Sequence, residues 1–243
     1  MVAIKSPFSE EMTLGLIASK LAGFSPPESP FDPEGEWTLS YGVYSLANVC
    51  DLAGGLTLFR KPSPDGGASI TLDYEKHLPD SRKQNVTAKI HCSADRLSTP
   101  DRWSYRSEVL DQAGELLEQL SLERSALAKD DLVEFRTGGR LRNKRIARPF
   151  TLGWLLFDAV QRLPRREFSP IRFAMFDDFD QVKASQELSF HKTVDVDFGD
   201  SGTVRLYAFD HLGEGIVPWV YWVDGEGRLL FAVAGIEAYI LQL

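Results

Sequence analysis

Asp210, His211 and Glu214 are the residues whose types and spacing come nearest to chemistry in this chain. They stand in DHLGEGIVP, beside the aromatic stretch WVYWV. A histidine near carboxylates serves as a general base or a metal ligand. Gly213 and Gly215 would let such a loop approach a ligand closely. A solvated connection between strands has the same composition. A hydrolase or lyase using these three side chains is therefore one expectation, and whether the protein is an enzyme stays open. No GxSxG, HExxH, P-loop or GxGxxG motif occurs, so serine-hydrolase, zincin and nucleotide chemistries have no motif behind them.

Two further acidic groups are weaker. Asp177, Asp178 and Asp180, with Glu187 and His191 downstream, would suit paired-carboxylate sugar chemistry or a hard cation. FDDFD between two strands reads equally as an acidic turn. Asp195, Asp197 and Asp200 resemble a calcium loop, but Leu206 occupies the place of its last glutamate, so a hairpin turn is expected. No metal and no cofactor is expected. The opposite charge gathers in Arg136, Arg140, Arg142, Lys144, Arg145 and Arg148. This stretch is either a patch for an anionic group, with Arg142 and Arg145 as its contacts, or a solvated loop or edge strand.

The elements that would position these residues are mostly strands. The last forty residues carry TVRLYAF, WVYWV, RLLFAV and IEAYIL, with DGEG as a hairpin connection. These are apolar on both faces, so both faces must be covered or filled. Trp219, Tyr221, Trp222, Phe231 and Tyr239 crowd this stretch and are the expected lining of a binding groove. Earlier segments alternate: Val86, Ala88, Ile90 and Cys92 oppose Thr87, Lys89 and His91, which predicts one buried and one wet face. Residues 115–129 do not resolve a period and fit a strand or a short helix, with strand preferred. A helix is predicted over 9–22, capped by Ser9, followed by the proline-rich FSPPESPFDPEG. A second is predicted over 151–163, capped by Thr151 and ended by Pro164. It is apolar round most of its circumference and belongs inside a curved sheet or plugging a barrel. The expected organisation is an N-terminal helix and arm over 1–36 and one β-rich domain over 37–243.

With 243 residues, 43% hydrophobic and 26% charged, the chain matches an ordinary globular protein. A net charge of -8 argues against nucleic acid as a partner. No run is long enough to span a membrane as a helix. Glu10, Glu11 and Lys20 do not suit an intact signal peptide. The compartment is left open: periplasm or cell envelope if a signal has been removed, cytoplasm otherwise. Cys50 and Cys92 both fall near strands; they either pair or remain free thiols.

The strand meander, the apolar helix and the closing PWVYWVDGEGRLLF resemble uncharacterised bacterial cell-envelope proteins with a strongly curved antiparallel sheet. Their half-barrel is similar to that of the outer-membrane lipoprotein carriers. The resemblance implies a mainly β fold, a half-barrel or open barrel wrapped round one helix, and an apolar groove. It carries no catalytic residue. The leading expectation is a binding protein for an apolar or amphipathic small molecule or lipid. The alternatives are the enzyme on Asp210, His211 and Glu214, and an interaction module that forms a homodimer through the apolar sheet face.

Overall fold

The computed structural model describes residues 10–21, 23–46, 51–78 and 80–242. Its strands are β1 (Trp37–Ser45), β2 (Asp51–Pro62), β3 (Ala68–His77), β4 (Lys83–Cys92), β5 (Pro100–Leu110), β6 (Leu122–Lys129), β7 (Leu132–Thr137) and β8 (Arg140–Arg145). They continue as β9 (Phe150–Leu152), β10 (Ile171–Asp177), β11 (Gln181–Asp197), β12 (Thr203–Gly213), β13 (Trp219–Val223), β14 (Leu229–Ala234) and β15 (Glu237–Gln242). All belong to one 15-stranded sheet in the order β8-β7-β6-β5-β4-β3-β2-β1-β15-β14-β13-β12-β11-β10-β9. The chain starts in the middle of the sheet and walks outward through hairpins to β8. It then crosses to the far edge and walks back until β15 meets β1. The fold is mainly β, a single open curved sheet around a short helix.

The sheet curls until its late edge meets the early strands through side chains. Trp103 Nε1 donates to the Phe179 carbonyl at 3.3 Å. The Tyr105 and Phe179 rings stack with centroids 4.6 Å apart. Thr151 Oγ1 donates to the Leu97 carbonyl at 2.7 Å. Period-2 patterning decides what faces inward: Val86, Ala88, Ile90 and Cys92 are buried while Thr87 and Lys89 are exposed.

β9 and β10 pair in parallel, and parallel neighbours need a crossover. Residues 153–170 supply it, and their helical part enters the lumen. This part is shorter than the sequence pattern predicts: two 3-10 turns flank α2 (Leu156–Ala159). Thr151 is not its cap, because it lies in β9 and spends its hydroxyl on Leu97. Leu163 is extended, as a residue before proline prefers, and the helix stops there. Leu155, Leu156, Phe157, Ala159 and Val160 are all buried. Each large side chain among them contributes about 1.5–3 kcal/mol.

The N-terminal helix, α1 (Glu10–Leu21), packs on the outer face of the sheet rather than standing away from it. Ile17 is buried and Lys20 lies over the Tyr44 ring. Phe24 meets Phe231 at 4.9 Å and Phe198 at 5.4 Å. Arg228 then fastens the proline-rich arm, donating to the Pro27 and Ser29 carbonyls and lying over Phe31. Ser9, the expected cap, lies outside the described residues, as does Cys50. Cys92 is a buried free thiol, pushed up to about 12 by burial and secondarily by Asp158. Residues 118–120 form a 3-10 turn before β6, so the unresolved 115–129 stretch is both turn and strand. No helix among the described residues is long and apolar enough to cross a membrane.

Candidate functional site

A cavity of ≈ 520 Å³ opens in the lumen between α2 and the inner faces of β3–β5 and β12–β15. Its aromatic wall centres on Phe157. That ring lies 6.0 Å from Trp219, 5.8 Å from Tyr221 and 5.3 Å from Tyr239, measured between centroids. Trp219 and Tyr221, two apart on β13, point the same way and stack at 5.7 Å. Tyr74 and Trp154 extend the wall at 5.0 Å from each other. Burial pushes the Tyr74, Tyr221 and Tyr239 hydroxyls up, so they stay protonated.

The structure divides the five aromatics expected to line a groove. Trp219, Tyr221 and Tyr239 reach the cavity. Trp222 and Phe231 are register partners on the opposite face, where Phe24 and Phe198 pack on Phe231. Alternation along a strand forces this split, because Tyr221 and Trp222 are neighbours.

The same rule dismantles the expected trio. β12 runs on to Gly213, so Asp210 and His211 are consecutive strand residues with opposite orientations. His211 is turned inward, paired in register with Trp219 and Leu188. Asp210 is turned outward and meets His191 Nδ1 at 2.9 Å. Glu214 is exposed in the following loop. His211 is 1% exposed, and burial lowers its pKa to about 3, so it is neutral at ordinary pH. Its Nε2 lies 3.1 Å from Gln186 Oε1.

Arg142 and Arg145 do not face the cavity. Both lie in β8, the terminal strand of the sheet, with exposed side chains, and Arg145 pairs with Asp131. Of the two readings of the basic stretch, the edge strand is the one the fold contains; edge lysines and arginines discourage further strand pairing.

The acidic turn does reach the site. Asp177 and Asp178 stand at the cavity and Asp180 turns away to pair with Arg124. Asp178 and Phe179 both have positive φ, 44° and 67°, in a β-turn between β10 and β11 closed by Asp180 N–H to the Asp177 carbonyl. Such turns favour glycine or asparagine. A phenylalanine is held there by its stacking on Tyr105 and its carbonyl bond from Trp103. The Asp178 carboxyl is open to solvent on one side, yet burial on its inner side, and then Asp177, push its pKa up. Glu237, also on the cavity, is paired with Lys76. Asp195 and Arg205 form an exposed cross-strand pair beside the expected turn.

The outward pair gives a pH-dependent prediction. Its hydrogen bond to Asp210 raises the His191 pKa from 6.5 against the opposing effect of burial. A raised folded pKa contributes stability that is full below about 6.5 and fades as pH rises through the folded value. His191→Ala should therefore cost about 1 kcal/mol near pH 5.5 and much less near pH 9. Urea unfolding of both proteins at the two pH values checks this; an equal loss at both would refute it.

No family model matches the sequence, and no curated protein matches it either. Among solved structures, the chain is similar to the crystal structure of a beta-barrel-like protein of domain of unknown function DUF1849 from Brucella abortus. The match has a TM-score of 0.57 at 12% identity and covers 86% of this chain and 96% of that one. The likeness is one of fold, a barrel-like curved sheet, and it provides no link to the lipoprotein carriers.

Proposed function

We propose that the protein binds a small apolar or amphipathic molecule inside the curved sheet. The observation that carries this reading is the aromatic-walled lumen cavity of ≈ 520 Å³, within the size range of small-ligand sites. Tyr74, Trp154, Trp219, Tyr221 and Tyr239 take the apolar body of the ligand, and the polar end meets the carboxylate-bearing mouth. Packing around Phe157 supports a wall formed before the ligand arrives, which lowers the ordering cost of binding.

A hydrolase or lyase on Asp210, His211 and Glu214 has no comparable support, since the first two lie on opposite faces of β12. Dimerisation through the late sheet has none either. Phe157 packs on one of its faces and Phe24 with Phe198 on the other.

Octan-1-ol titrated against tryptophan fluorescence tests the reading, with native mass spectrometry of freshly purified protein beside it. Saturable quenching is expected. Trp219→Ala should weaken binding tenfold or more, as an aromatic anchor does (about 2 kcal/mol). Ala234→Phe, which adds a ring on the cavity wall, should block binding while the protein still unfolds cooperatively. Absence of both quenching and any adduct would overturn the proposal.

A further inference from the structure

The charged side chains that line the cavity are all of one sign. Among its described lining residues there is no lysine or arginine, while Asp177, Asp178, Glu237 and His211 all stand on it. Glu237 is balanced by Lys76. Asp178 has no ion-pair partner among the described residues, although Lys183 and Lys76 act on it from further away.

His211 gives an independent indication. The Gln186 amide nitrogen donates to the Ala184 carbonyl at 2.5 Å and the Glu214 carbonyl at 3.2 Å. Those two bonds fix the amide orientation and leave Oε1 as the atom facing His211 Nε2. Oε1 can only accept, so Nε2 carries the ring proton and Nδ1 presents a lone pair. Nδ1 is buried and has no hydrogen-bond partner among the described residues. An unpaired buried acceptor is costly, and this one belongs to a ring on the cavity wall. What it lacks is a donor.

We propose that the cavity selects an organic ammonium: a primary or secondary amine, protonated in water, on an apolar body. The ammonium donates to the Asp178 carboxylate at the mouth, where the adjoining Tyr74 and Trp154 rings receive its charge by cation–π attraction, and His211 Nδ1, elsewhere on the lining, is open to a second donor on the body. The alkyl or aromatic body fills the space against Phe157. An anionic amphiphile such as a fatty acid is disfavoured at this mouth by repulsion from Asp177 and Asp178. This reverses the charge expected from the basic stretch, since Arg142 and Arg145 lie away from the cavity. The selectivity rests on the lumen-binding reading above.

Four probes of one chain length separate the two ideas: octylamine, octyltrimethylammonium, octan-1-ol and octanoate, titrated at constant ionic strength near neutral pH. Octylamine should bind about tenfold more tightly than octan-1-ol, and octanoate should be the weakest. Octyltrimethylammonium, which has charge without donors, should fall between the amine and the alcohol. Asp178→Asn should remove most of the amine's advantage while leaving octan-1-ol unchanged. A second donor on the body, as in 8-aminooctan-1-ol, should tighten binding relative to octylamine, and His211→Phe should remove that gain; no gain in the unaltered protein would overturn the role given to His211. Octanoate binding as tightly as octylamine overturns the selectivity and leaves lumen binding intact. If none of the four binds and native mass spectrometry recovers no adduct, lumen binding falls and takes the selectivity with it. In a recovered adduct, a basic nitrogen supports the proposal, and its absence overturns it.

Discussion

Asp158→Ala should lower the unfolding free energy by about 3–5 kcal/mol, the usual cost of leaving buried charge without its partner. Asp158 projects from α2 with 2% of its side chain exposed, and its carboxylate serves two arginines. Oδ1 lies 3.0 Å from Arg60 Nε and Oδ2 lies 3.0 Å from Arg162 Nη2. Ser98 Oγ donates to Oδ2 as well. The arginines have further duties: Arg60 donates to the Glu34 and Gly35 carbonyls and Arg162 to the Asp95 carbonyl. The cluster thus joins the lumen helix, β2, the β4–β5 connection and the end of the N-terminal arm. Alanine would leave two guanidinium groups buried with only carbonyls and a hydroxyl to meet. Asp158→Asn keeps the shape but not the charge and should cost less. Replacing Asp158, Arg60 and Arg162 together by apolar residues of similar volume should recover much of the loss, because an absent charge needs no partner. The midpoint of urea unfolding at unchanged slope measures each step. A loss below about 1 kcal/mol for Asp158→Ala would mean that the arginines reach water.

Phe157→Ala should cost a similar amount, about 3–5 kcal/mol, for a different reason. The ring is 1% exposed and contacts Tyr41, Trp154, Trp219, Tyr221 and Tyr239. Removing it leaves a void in a close-packed layer, and those five rings lose their common neighbour. Because Phe157 also lies on the cavity wall, the void merges with the ligand space. The variant should therefore be less stable and yet take up naphthalene more tightly than the natural protein does. Phe157→Leu should show a smaller stability loss and little widening. Denaturant unfolding and naphthalene fluorescence read the two effects separately. A destabilised protein with unchanged naphthalene uptake would show that the wall collapses into the space.

Much of this was legible in local pattern. The alternation Val86, Ala88, Ile90, Cys92 places β4 and its buried face correctly. The double-sided apolarity of β13–β15 predicts that both faces are covered, and both are. Residues 151–163 read as apolar round most of a helix's circumference, and the shorter helical part among them does enter the lumen. The basic run over 136–148 allows an edge strand among its readings, and β8 is one. Asp210 and His211 show where such reading stops. Taken as loop residues they are free to converge; once β12 extends to Gly213 they cannot. Nothing in DHLGEGIVP marks that extension, because the hydrogen bonds that draw these residues into the ladder come from β11 and β13.

Long-range pairing was not legible at all. Asp158 and Arg162 are spaced as helix neighbours, but Arg60 reaches them from a strand far back in the chain. The assignment of faces to covers is equally non-local. Trp219, Tyr221 and Tyr239 receive the lumen helix, while Trp222 and Phe231 receive Phe24 and Phe198. Asp178 reads as a turn and is one, yet only the closure of that turn onto Tyr105 places its carboxylate at a cavity mouth. By itself the sequence determined most of the strands and the apolar inner helix, because side-chain period and turn chemistry act between near neighbours; the curved sheet was an expectation drawn from resemblance. Tertiary structure alone decided which side chains share the lumen and with what charge. That depends on how the two ends of one sheet curl together, and no interaction between near neighbours encodes it.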